Sequence, residues 1–163
     1  MVKSPDLPVN DPAASTAFSK RNLPLLLLQA RESVIRRFRP VLTAHGLTEQ
    51  QWRVLRIVAE RGPTEPRELV ELCALSSPSL AGILARMDDL GLIARERMET
   101  DQRRILVSIT PRSRTLVGRL APQVDAIYEE IDAALGADFS GRLYQMLDRV
   151  VAVLGPESEA PDA

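Results

Sequence analysis

The sequence predicts a mainly α protein with one small β-hairpin: a helix-turn-helix that runs straight into a wing, with long helices on either side. Three observations predict it. Only 4% of the 163 residues are aromatic although 45% are hydrophobic, so the core must be mostly Leu, Val, Ile and Ala, which favours helices over a β-sandwich. Two short amphipathic segments, ending at Cys73 and starting at Ser77, are joined by about three residues, as in a helix-turn-helix. After Gly91 the pattern changes period. Leu92–Arg97 and Arg104–Ile109 are short and β-branched, the second alternates, and the polar run Met98–Arg103 separates them.

Composition limits what such a chain can do. The formal net charge of −1 gives no overall basic signature, so any contact with nucleic acid rests on a local patch. Arg dominates between Arg21 and Arg114, whereas Asp and Glu dominate from Asp125 onward, so a basic face and an acidic end can coexist near neutrality. A single Cys excludes an internal disulfide framework and fits a reducing compartment. One His and one Cys make a metal cage or a Ser-His-Asp triad improbable, and Gly46, Gly62 and Gly91 are scattered helix stops rather than a phosphate loop. No enzyme, metal or cofactor is expected. No apolar run has the length of a membrane span and no signal-peptide pattern opens the chain, so the expected location is cytoplasmic.

Taken in order, residues 1–20, with Pro5, Pro8 and Pro12, read as a disordered arm. Asn22 caps a helix that runs to about Ala44, with Pro40 forcing a kink or early end and an apolar stripe through Leu27 or Leu28, Val34 or Ile35, Phe38 and Leu42. Gly46 stops it. Thr48-Glu-Gln-Gln51 is a capping box for a helix over 49–60. Thr64 is expected to cap a short helix over 65–73. Ser77 is expected to cap the next, with Pro78 as its first residue and Leu80, Ile83, Leu84, Met87 and Leu90 on its apolar face. Thr110-Pro111 starts a long helix with Leu116, Leu120, Val124, Ile127, Ile131 and Leu135 on one side and a bend at Pro122. Gly136 ends it, and Asp138 is expected to cap a last helix whose buried side carries Phe139, Leu143, Leu147 and Val150. The winged core is expected to be complete without these two helices and the first, so their apolar surface calls for a partner chain, most simply a two-fold copy. The tail 155–163 should be flexible.

This order of elements, with Asp-x-Arg-Arg at 101–104, resembles the MarR family of bacterial transcription regulators. The stretches Leu27-Leu-Gln-Ala-Arg-Glu32, Phe38-Arg-Pro40 and His45-Gly-Leu-Thr-Glu-Gln-Gln-Trp-Arg-Val54 are similar to its subgroup of aromatic-acid operon repressors, typified by the homoprotocatechuate-degradation repressor. The resemblance implies one domain over 21–154, with dimerisation helices 22–45 and 111–154 and a DNA-binding winged helix over 48–110. It also implies a homodimer that binds a palindrome on double-stranded DNA and is released by a small phenolic or heteroaromatic acid. One departure is Ala81-Gly82, where many relatives have polar residues.

Two sets of residues follow. Ser76, Ser77, Ser79 and Arg86 on the second helix of the motif are placed to enter a major groove. Arg95, Arg97, Asp101, Arg103 and Arg104 form the wing, and the resemblance implies that the Asp steadies an Arg while the tip reaches a minor groove. A solvated charged hairpin is the alternative. For a ligand, Arg31 falls on the apolar stripe with Phe38, and His45 extends it. Trp52 lies one turn before Arg56 and offers a flat face to an aromatic ring. Together they describe an apolar pocket with a cation for a carboxylate, or else an interface ion pair with Trp52 as core filler. A winged-helix protein–protein adaptor and a thiol sensor using Cys73 are the rival readings.

Overall fold

The computed structural model describes residues 18–97, 101 and 103–155. The expected arm up to residue 17, the tail from 156 and the wing-tip residues 98–100 and 102 lie outside these. The chain divides after Ser33 into two compact units. The first holds the N-terminal half of helix α1 (Leu23–Ala44), where the Leu25 N–H donates to the Asn22 side chain at 3.0 Å, the expected cap.

The second unit contains the rest of α1, then α2 (Glu49–Arg61), α3 (Pro66–Leu72), α4 (Ser77–Asp89), β1 (Ile93–Arg97), β2 (Ile105–Ile109), α5 (Pro111–Leu135) and α6 (Ala137–Leu154). This is the mainly α winged helix-turn-helix expected. Helix α1 passes through Pro40 to Ala44, so that proline does not end it early. Gly46, at φ +71°, then reverses the chain. Thr48 and Gln51 form the full capping box that starts α2.

Three caps fall elsewhere than the sequence suggested. Helix α3 is capped by Glu65 rather than Thr64, because Pro66 fills the first helical position and so makes the preceding residue the cap. Thr64 instead pairs with Val107 of β2, its N–H and C=O bonding at 3.0 and 2.9 Å as a one-residue third strand. Helix α4 starts one residue early, with Ser76 as cap and Ser77 already helical. Helix α6 is preceded by Gly136, and Asp138 lies within its first turn, where its charge suits the helix dipole.

The strands pair antiparallel with Ile93 opposite Ile109 and Arg97 opposite Ile105. Val54, Leu55, Leu69, Met87 and Val107 are fully buried between α2, α3, α4 and the hairpin. The core does not stop there. Leu120, Val124 and Ile127 of α5 are buried in the same cluster as Phe38 and Leu42, correcting the expectation that the winged core is complete without its flanking helices. Helix α5 also runs unbroken through Pro122. On α6 only Leu143 of the expected buried side is half-buried, and Phe139, Leu147 and Val150 are exposed because nothing within this unit covers them. Among the described residues no single helix is long and apolar enough to cross a membrane.

Candidate nucleic-acid interface

Helix α4 is held from behind by Leu80, Ile83, Leu84 and Met87, all buried, and this leaves its opposite face outward. At its start the Ser76 hydroxyl accepts the Ser79 N–H and donates to the Ser79 hydroxyl at 2.8 Å. Two of the three serines are therefore pre-set by each other before anything binds. Ser76, Ser77, Ser79 and Arg86 are all exposed. A Cβ at Gly82 would lie 3.5 Å from the Arg86 guanidinium, so that side chain lies back along the helix over the glycine.

The turn before α4 depends on a residue the motif did not flag. Ala74 adopts φ +48°, uncommon for a residue with a Cβ, and the neighbouring Cys73 carbonyl accepts from the Arg53 guanidinium. Cys73 itself is buried, and burial pushes its thiol pKa up, with nearby Arg53 opposing only in part. A raised pKa disfavours the thiolate that a redox sensor needs.

In the wing, Arg95, Arg97, Asp101, Arg103 and Arg104 are all exposed. Asp101 turns the tip: its carboxylate accepts the Arg103 N–H at 3.0 Å and its carbonyl accepts the Arg104 N–H at 3.0 Å. Arg95 reaches Asp88 at 3.4 Å, and Arg104 is clasped by Glu65, with Nε to Oε1 at 2.6 Å. Among the described residues Arg86, Arg97 and Arg103 have no carboxylate partner, and all three are exposed, as are the α4 serines. Such an array can contact phosphates and groove edges. Nothing in the sequence pairs Glu65 with Arg104, although Pro66 marks Glu65 as a cap.

The residues expected to hold a ligand are only partly brought together. Phe38 and Arg56 meet through Tyr128 of α5, a residue not anticipated. The Phe38 and Tyr128 rings lie 5.0 Å apart and tilted, and the Arg56 guanidinium lies 5.6 Å from the Tyr128 ring centre. Arg56 also donates to the Tyr128 hydroxyl at 3.0 Å and to Glu60 at 2.7 Å. Burial alone opposes its charge, but Glu60 and Tyr128 together outweigh that and raise its pKa. His45 is half-buried and bonds Gln123 of α5 at 3.1 Å. Trp52 is buried in the core. Arg31 is exposed and belongs to the first unit. Among the described residues no group of three His, Cys, Asp or Glu could hold a metal ion.

A three-helix head closed by a hairpin, with an arginine-bearing tip and a serine-capped outer helix, defines a winged helix-turn-helix protein of the DNA-binding kind. The chain belongs to the MarR family, whose model matches residues 45–104. It is 37% identical over 132 residues to the homoprotocatechuate degradative operon repressor of Escherichia coli, covering 81% of this chain and 89% of that one. Among solved structures, the transcriptional regulator PA4135 is similar at 34% identity and a TM-score of 0.79, over 82% of this chain and 98% of that one. NadR in complex with 4-hydroxyphenylacetate is similar at 32% identity and a TM-score of 0.74, over 83% and 96%. The chain is thus a transcriptional regulator of this family and not an enzyme.

Proposed function

We propose that the protein is a cytoplasmic homodimeric repressor that binds a palindromic operator and is released by a small aromatic carboxylic acid. Two copies would set their α4 helices in successive major grooves about one helical turn apart, with Arg103 of each wing in a flanking minor groove. The other groups at the duplex would be Ser76, Ser77, Ser79, Arg86, Arg95 and Arg97, with Asp101 steadying the tip.

The observation that carries the ligand reading is the Arg56 guanidinium, part-buried beside the Tyr128 ring and its hydroxyl, with the Phe38 ring on Tyr128 in turn. An aromatic acid can place its carboxylate on Arg56 and its ring near Tyr128, Phe38 or Trp52, with His45 and Gln123 at the border. The relative solved with 4-hydroxyphenylacetate supports that chemistry. Arg31 is a second candidate for the carboxylate: if it holds that group, Arg31→Ala should keep DNA affinity and lose the response. Release requires the acid to bind better when the two heads are spaced wrongly for the operator.

The test is a fluorescence-anisotropy titration of the full chain on its own upstream DNA, with and without 4-hydroxyphenylacetate and related acids. Affinity should fall when the acid is present. Arg56→Ala should keep DNA affinity and lose the response. Failure to bind any two-fold symmetric site there at moderate salt would sink the repressor reading, and an unaltered response in the Arg56 variant would sink the ligand site.

A further inference from the structure

Arg104 is not placed like Arg97 and Arg103, which have no carboxylate partner among the described residues, nor like Arg95, whose partner Asp88 lies only seven positions away. Its guanidinium is engaged by Glu65, 39 residues earlier, and the Glu65 side chain is only 22% exposed against 53% for Arg104. Glu65 is also the cap residue of α3, its N–H donating to the Glu68 carboxylate at 3.1 Å, and α3 packs on α4. The neighbouring residue Thr64 pairs with Val107 through both backbone groups. Two consecutive residues of one loop thus grip the wing at two points, β2 at Val107 and the side chain of Arg104 just before that strand. If Thr64 were the only grip, Arg103 would stand four residues beyond it, a lever of roughly 14 Å at strand spacing. With Glu65 as the second grip, the lever shrinks to one residue, and the Asp101 turn then fixes Arg103.

A carboxylate next to a DNA-facing wing repels phosphate, so its presence calls for a compensating role. We infer that Glu65 is a positioning residue: it spends Arg104 as a strut that holds the wing at a set angle to α4, and it leaves Arg103 to meet the duplex. This rests on the DNA-binding reading and adds to it a division of labour between two adjacent arginines. A phosphate-contacting Arg104 makes the opposite prediction at every step, because removing Glu65 would then release a cation and tighten binding.

The experiment uses the full-length protein, a duplex that it selects from a random library, and a random-sequence duplex of equal length. E65Q keeps the side chain's size and the backbone N–H that bonds Glu68, and loses the charge. Its affinity for the selected duplex should fall about two- to fivefold, the scale of an exposed ion pair, with binding to the random duplex unchanged or slightly stronger. R104A should lose about as much with its salt slope kept, and the E65Q/R104A pair should lose no more than either alone. R103A, in contrast, should lower the salt slope by about 1. Thermal unfolding of each variant separates lost wing geometry from lost folding. The inference falls if E65Q binds the selected duplex as well as or better than the parent, or if R104A lowers the salt slope and adds to E65Q. A parent protein that selects no duplex at all would bring down the DNA-binding reading, and this inference with it.

Discussion

Leu55, Leu69 and Met87 of the head expose none of their surface, whereas Val151, Val153 and Leu154 on α6 leave 70% or more of theirs open. Both regions are built from the same aliphatic residues at the same helical spacing. They differ in what surrounds them. The head packs three helices, a hairpin and part of α5 around a common centre, so each apolar face meets another. Helix α6 follows α5 at one end of the unit, and little lies against its outer face. An apolar stripe therefore tells which side of a helix avoids water but not whether this chain or a second copy will shield it. The proposed homodimer is the simplest cover for α6, and the contrast between the two regions can be tested directly.

The largest effect belongs to the closed region. Leu55→Ala leaves a hole where no neighbour can collapse fully, and should cost about 2–5 kcal/mol in denaturant unfolding. A loss under about 1 kcal/mol would mean that the head is looser than its burial suggests. Val151→Asp addresses the open region. The side chain is solvent-exposed within one chain, so the monomer fold should hold while self-association weakens by roughly tenfold or more, the worth of one well-buried valine. Sedimentation velocity over a concentration series reads this, and unchanged association would remove α6 from the proposed interface.

The smallest effect concerns pH and again contrasts the two regions, since Cys73 lies inside the head. Burial favours its neutral thiol, so the folded pKa stands above the unfolded one. Below the ordinary thiol range near 8.5 both states are protonated and Cys73 adds no pH dependence. As pH rises from there toward the folded value, the unfolded state loses its proton first and stability falls slightly. Labelling by a thiol reagent should be slow in the native protein at pH 7 and fast once it unfolds. Rapid native labelling at neutral pH would instead favour the thiol-sensing alternative.

The elements legible in the sequence are those with local causes. The Thr48–Gln51 box, the Asn22 and Thr110 caps and the Gly46 and Gly91 reversals each lie within a few residues of what they terminate. The caps found at Ser76, Glu65 and Gly136 show the limit of that reasoning, because more than one candidate residue lay within two positions of each helix start. For α5 the stripe was visible, but its destination was not. The wing's cations were legible as a group, and the different fate of Arg104 within it was not.

By itself the sequence determined the order of elements, their approximate ends and the basic character of the hairpin. These follow from spacing, capping and charge along a short stretch of chain. Only the tertiary structure decided that Glu65 meets Arg104 across 39 positions and that Tyr128 meets Arg56 across 72. Such pairs are made when separate helices dock, and no period or cap in either partner encodes where the other will lie.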